Sequence, residues 1–220
     1  MLRNTIKRII PNRVLKSLRF LRSEIELFMI QEKGRKMFKE VLNERSPLCL
    51  ELGSGVKLGK NGWVTVDFDS GCDIRWNLLE PLPIPENSVD RVYCSHVLEH
   101  FFYPDLIKLI KEVQRILKNG GSFSVCVPNA ELYVKAYLSP IGLNEFESKF
   151  YKPAFFYHTP IDYLNYMAYM DGGHRHMFDL KNLLEILRYC GFSKVSSRPF
   201  DHELDLQGRD HESIYVLAIK

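Results

Sequence analysis

The 220 residues predict an α/β fold, a mostly parallel sheet with helices on both faces and a basic helical extension ahead of it. Three observations carry this. From Pro47 onward short apolar runs of strand length alternate with stretches of helical period. Gly, Asn, Asp and Ser punctuate the runs. Four successive runs then end on glycine or polar residues, as expected where the strands of an open sheet offer their carboxyl ends to a ligand.

In chain order, Leu2, Ile6, Ile9 and Ile10 predict a short helix that Pro11 ends. A second helix follows from Arg13 to Met29, with Val14, Leu15, Leu18, Leu21, Ile25, Phe28 and Met29 at three- and four-residue steps and Arg13, Lys16, Arg19 and Arg22 between them. Such a helix either packs on the α/β domain as a lid or lies on a membrane surface. Strands are expected at Leu48 to Leu52, Trp63 to Asp67, Cys72 to Trp76, Arg91 to Cys94, Ser122 to Val127, Lys194 to Ser197 and Ile214 to Ile219. One helix opens with Pro104 and Asp105, buries Leu106, Leu109, Ile110, Val113 and Leu117, and stops at Asn119-Gly120-Gly121. Another takes Asp179 as its N-cap, sets Leu180, Leu183, Leu184 and Leu187 on one face, and ends at Gly191. Between them residues 129–178 hold 12 of the 27 aromatics, too long a stretch for a plain connection and so an insertion with its own small core, some of whose rings line a ligand pocket. The division is thus 1–45 for the extension and 46–220 for the α/β domain.

Composition excludes several classes. An apolar fraction of 45% and a charged fraction of 26% are those of a globular chain, and 220 residues suit one large core. Apolar runs reach only about four residues against the roughly 20 that span a bilayer, and no signal-peptide core follows the basic start, so a cytoplasmic protein is expected, with peripheral contact at the inner membrane face as an option. Five cysteines without a Cys-x-x-Cys pair read as buried thiols. Residues 1–46 hold 12 basic against 5 acidic side chains and the remainder 18 against 22, so the main body lacks the basic face that nucleic acid demands.

The run Glu51-Leu52-Gly53-Ser54-Gly55 sets a carboxylate and two glycines at the end of the first core strand, where the chain turns tightly and lets a ligand approach. Asp67 ends the next strand, where its carboxylate can accept both hydroxyls of a ribose. Asn77 and Leu78 follow the third strand with an amide oxygen and a main-chain N–H suited to an adenine edge, and Ser95 with His96 closes the fourth. Taken with Pro81 to Asp90, His96 to Phe101 and Arg115 to Gly121, these residues resemble the class I S-adenosylmethionine-dependent methyltransferases. The resemblance is to members associated with polysaccharide or glycan biosynthesis, whose C-terminal part carries a pattern like Gly173-His174-Arg175-His176-Met177-Phe178-Asp179. It implies a Rossmann-like seven-stranded methyltransferase sheet binding S-adenosylmethionine, with Glu51 and Gly53, Ser54 and Gly55 at the methionine end, Asp67 on the ribose and Asn77 with Leu78 on the adenine. The chain departs from the family pattern at Lys57, where many relatives have a third glycine, and at Asn77, where many have aspartate.

His96, Glu99 and His100 stand at i, i+3 and i+4 just past the fourth strand, with His174 and His176 arriving from the far side of the insertion. An imidazole there can take the acceptor hydroxyl's proton. Alternatively His96, Glu99, His100 and His176 hold a divalent cation that orients and acidifies that hydroxyl. The expected catalytic residues are therefore His96, Glu99, His100 and His176, and His100 and His176 are expected to converge. The letters His-x-x-Glu-His also spell a zinc-protease signature, which the position directly after a parallel strand disfavours. The function expected is O-methylation of a sugar, glycan precursor or other small molecule, the alternatives being an RNA methyltransferase or a nucleotide-binding module without transfer activity.

Overall fold

A seven-stranded sheet forms the centre of the computed structural model, which describes residues 12–138 and 159–220. The short helix expected before Pro11 and the insertion's aromatics from Phe146 to Tyr157 lie outside the described residues. The strands are β1 (Cys49–Leu52), β2 (Trp63–Asp67), β3 (Ile74–Arg75), β4 (Val89–Ser95), β5 (Leu117–Pro128), β6 (Lys194–Ser197) and β7 (Ser213–Ile219). Their spatial order is β3-β2-β1-β4-β5-β7-β6, parallel except for β7, which runs antiparallel to β5 and β6. β1 sits between β2 and β4, with Leu50 opposite Val64 on one side and Val92 on the other. The chain order reverses at β1, so a crevice opens at the carboxyl ends of β1 and β4.

Successive buried residues in β4, Val92, Tyr93 and Cys94, show that the sheet is covered on both faces. Helix α2 (Tyr103–Ile116) buries Leu106, Leu109, Ile110, Val113 and Ile116 in the main core. It ends one residue short of Leu117, which the sequence places in the helix but which opens β5 opposite Val89. The Asn119-Gly120-Gly121 stop is therefore a bend within β5, with Gly120 at φ +79° and the pairing with β4 resuming at Ser122. After β5 come α3 (Ala130–Leu138) and α4 (Ile161–Tyr169), which share a small core of Ala130, Tyr133, Ala136, Tyr163 and Met167. Helix α5 (Leu180–Tyr189) is capped by Asp179, whose Oδ1 accepts the Asn182 N–H at 2.7 Å. Its buried face is Leu183, Ile186 and Leu187; Leu180 stays 36% exposed, so the face is rotated from the expected one.

The N-terminal helix differs most from expectation. One helix, α1, runs from Asn12 to Glu44 instead of ending near Met29. Its last third belongs to the main core: Phe38 is fully buried and meets the Trp76 ring edge-on at 5.7 Å. Gly34 permits that approach, since a Cβ there would lie 2.8 Å from Trp76 Cε3 and 2.9 Å from the Arg75 carbonyl oxygen. The first half packs far less. Leu18, Leu21, Ile25, Phe28 and Met29 are each more than half exposed, so the apolar stripe read as a packing face has nothing closing over it among the described residues. β3 is likewise shorter than expected, two residues pairing with Val66 and Asp67, although the Trp76 backbone N–H still donates to the Asp67 carbonyl at 2.7 Å.

Candidate functional site

The crevice at the switch point is a cleft of about 660 Å³ lined by Gly53, Gly55, Asp67, Trp76, Asn77 and Leu78, among others, and reaching His96 and His100. At the tip of β1 the chain turns through Gly53 at φ +70°, and its N–H is held by the Val66 carbonyl at 2.8 Å. A Cβ on Gly53 would fall 2.2 Å from Val97 Cγ2, so any side chain would push the β4 exit away. Asp67 braces the glycine turn: its Oδ2 accepts the Gly55 N–H at 2.7 Å and its Oδ1 the Asp69 N–H at 3.0 Å. Each oxygen keeps a lone pair for a ligand donor. Asn77 Oδ1 accepts the Leu79 N–H at 3.0 Å, which leaves one oxygen lone pair and the amide N–H groups.

Three of the residues expected at this edge do not line the cleft. Glu51 does not line the cleft; its side chain is 13% exposed and its Oε1 pairs with Lys57 Nζ at 2.6 Å, so the lysine that replaces a family glycine neutralises the carboxylate meant for the methionine end. Ser54 and Ser95 are also absent from the lining, Ser54 Oγ donating instead to the Gly55 carbonyl at 3.3 Å. Trp76, which sequence reasoning treated only as the end of a strand, also lines the cleft, and its buried indole N–H has no hydrogen-bond partner among the described residues.

Beyond His96 and His100 lies a second, smaller cavity of about 160 Å³, lined by Glu99, Pro128, Tyr166, Met167, His174, Arg209 and Glu212 together with the same two histidines. The two imidazoles thus border both cavities. His96 takes φ +53°, a left-handed conformation unusual for a side-chain-bearing residue, at the exit of β4. Its Nε2 lies 2.9 Å from Ser213 Oγ, and that hydroxyl spends its only proton on the Arg209 carbonyl at 2.6 Å. His96 must therefore donate from Nε2, and Nδ1 carries the lone pair. Nδ1 is 3.5 Å from Glu99 Oε1. Burial pushes the His96 imidazole down to about 3, helped by the Arg209 charge, and pushes the Glu99 carboxyl up to about 8. The contact is accordingly one between neutral groups rather than an ion pair.

The short helical turn Leu98–His100 presents the rest. His100 Nδ1 is 3.0 Å from the Gly173 carbonyl and must donate to it, which leaves Nε2 with the lone pair at 4.0 Å from Glu99 Oε1. His174 Nδ1 donates in the same way to the Met167 carbonyl at 2.7 Å. The segment carrying His174 is pinned here because the Glu99 carbonyl accepts from both Arg175 N, at 2.7 Å, and His176 N, at 3.1 Å. His176 itself departs from the expectation. Its Nε2 faces Asn182 Oδ1 at 3.2 Å and its ring packs against Phe178 at 4.6 Å, so it lines neither cavity and does not converge with His100. The imidazole that converges is His174, its ring 5.2 Å from that of His100.

The sheet order and the crevice are those of the class I S-adenosylmethionine-dependent methyltransferase fold. Residues 60–125 match the family model described as a methyltransferase domain. A crystal structure of such an enzyme from Archaeoglobus fulgidus superposes with a TM-score of 0.51 at 18% identity, covering 88% of this chain and 99% of the other. An uncharacterized protein of Methanocaldococcus jannaschii is 32% identical over 142 residues, 54% of this chain and 61% of that one. A "probable S-adenosylmethionine-dependent methyltransferase" of Mycolicibacterium smegmatis is 42% identical over 57 residues, 26% of this chain and 21% of that one. The chain thus spans about three fifths of the first relative and about a fifth of the second.

Proposed function

We propose that this protein is an S-adenosylmethionine-dependent methyltransferase that methylates a hydroxyl of a small acceptor, a sugar or glycan precursor being the first choice. One observation carries it: the two cavities meet at His96 and His100, so a cofactor at the tips of β1 and β2 and an acceptor in the smaller cavity face each other across imidazole nitrogens. The cleft fits the cofactor, since Asp67 retains acceptor capacity for ribose hydroxyls and Asn77 keeps an oxygen lone pair and its amide N–H groups for a base edge. When bound, S-adenosylmethionine supplies a methyl carbon on a sulfonium centre. The lone pairs on His100 Nε2 and His96 Nδ1 would be the chain's own acceptors for the proton that the acceptor hydroxyl gives up as it is methylated. Alignment of the two ligands provides most of the acceleration. A small acceptor suits a cavity of about 160 Å³ with polar walls, and RNA is disfavoured by a body with 18 basic against 22 acidic residues after position 46. Calorimetric titration with S-adenosylmethionine, followed by a screen of nucleotide sugars for conversion to S-adenosylhomocysteine, tests both halves. No binding of the cofactor overturns the reading; binding without turnover on any hydroxylated acceptor leaves a binding module.

The exposed stripe of α1 supports a second contact, with anionic lipid. Leu18, Phe20, Leu21, Phe28 and Met29 are open to solvent among Lys16, Arg19 and Arg22. No helix of the described residues is long and apolar enough to cross a membrane, so such contact is peripheral. Sedimentation with anionic vesicles should be strong at low salt and weak at high salt; absence of binding at low salt removes it.

A further inference from the structure

We propose that Glu99, His100 and His174 form a binding site for one divalent transition-metal ion, with the smaller cavity supplying its open coordination positions. The inference deepens the transferase reading in its role, but the binding itself stands on independent observations. Glu99 is 2% exposed, and among the described residues no other residue donates a hydrogen bond to either of its carboxyl oxygens. A buried carboxyl group with neither oxygen partnered is costly in a folded protein even when neutral, and calls for a group from outside. The candidate ligand atoms of Glu99, His100 and His174 lie within 4.8 Å of one another. Both imidazoles are already oriented as ligands: each donates its Nδ1 proton to a backbone carbonyl, of Gly173 and Met167 respectively, which fixes the tautomer with a lone pair on Nε2.

Two imidazoles and one carboxylate suit a first-row transition ion rather than Mg2+ or Ca2+, which prefer oxygen ligands. In a tetrahedral site with bonds of about 2.1 Å, ligand atoms are about 3.4 Å apart. The 4.0 Å between His100 Nε2 and Glu99 Oε1 therefore needs to close by only about half an ångström, within reach of a small side-chain rotation. His96 Nδ1, the remaining lone pair beside Glu99, borders the site. A cation here would orient an acceptor hydroxyl and make it more acidic. This set differs from the one the sequence suggests, because His174 replaces His176.

The test uses the full chain, stripped with chelator and then titrated with Zn2+ and, separately, Co2+. One equivalent should bind, with visible Co2+ bands of a low-coordinate site. Glu99→Gln and His174→Ala should each weaken binding about a hundredfold or more, while His176→Ala leaves it unchanged. Circular dichroism and S-adenosylmethionine titration on the same metal-free samples establish that the variants fold. Absence of stoichiometric binding by wild type, or binding unaffected in Glu99→Gln and His174→Ala, overturns the site. Metal binding without cofactor binding would instead overturn the transferase reading and leave the site standing.

Discussion

Two buried carboxylates, Asp205 near β7 and Glu99 between the cavities, are 7% and 2% exposed yet live in opposite surroundings. Asp205 is fully provided for: Arg198 grips it through both terminal nitrogens, Tyr93 donates its hydroxyl at 2.9 Å, and Asp201 donates its N–H at 2.8 Å. Arg198 in turn reaches Ser124 Oγ at 2.8 Å and lies over the Tyr215 ring. Among the described residues no other residue donates a hydrogen bond to the Glu99 carboxyl, whose neighbours are imidazoles with their protons pointing elsewhere. The first carboxylate is consumed by the fold and the second is kept for something the fold does not contain. Burial alone therefore does not distinguish a structural acid from a functional one; the accounting of donors does.

The sharpest way to break this comparison is to delete each acid. Asp205→Ala leaves Arg198 buried without its partner and should cost about 3–5 kcal/mol of stability in chemical denaturation. Glu99→Gln removes no hydrogen bond and should change stability by only about 1 kcal/mol or less. Equal losses would mean that Glu99 is structural too. Next in size is the imidazole face: His100→Ala should lower turnover about a hundredfold while cofactor affinity stays nearly constant, which steady-state kinetics beside calorimetry will show. A loss of cofactor affinity alone would move His100 to the nucleotide side of the boundary.

At the nucleotide edge, where the carboxylate is shared between fold and ligand, Asp67→Ala should weaken S-adenosylmethionine binding roughly tenfold to a hundredfold, the worth of about 1.5–3 kcal/mol in a charge-assisted hydrogen bond. An unchanged titration would remove it from the site. The smallest effect belongs to Asp90, near the amino end of β4, which accepts the Leu48 N–H at 2.8 Å and the Lys118 ammonium through both oxygens at 2.8 Å. Partial burial pushes its carboxyl up, but Lys118 and the Leu48 N–H outweigh this and leave it below the usual range. Its stabilisation is thus complete above the unfolded carboxylate value of about 3.9 and is lost as pH falls through the lower folded value. Asp90→Asn should cost about 1 kcal/mol at neutral pH and flatten the acid limb of the unfolding profile below about pH 4. An acid limb identical to wild type would show that Asp90 adds nothing.

What the sequence by itself determined is the part governed by short-range rules. The ends of β1 and β2 were legible because an apolar strand followed by Gly-Ser-Gly, or ending in Asp67, encodes both the strand and its turn within a few residues. The start of α5 was legible from Asp179 for the same reason. Tertiary structure decided the rest. α1 continues to Glu44 through a polar stretch that hides its purpose, since Gly34 and Phe38 are explained only by Trp76, some forty residues further along the chain. Glu51 and Lys57 pair across a loop whose path no local pattern states. The choice of His174 over His176 is the clearest case. In an extended segment residues two apart share a face, so the sequence offers the two histidines as equals. Here the N–H groups of Arg175 and His176 both turn to the single carbonyl of Glu99, which an extended strand, with successive N–H groups on opposite sides, cannot do. The segment bends at that carbonyl and sends one imidazole to the cavity and the other to Phe178.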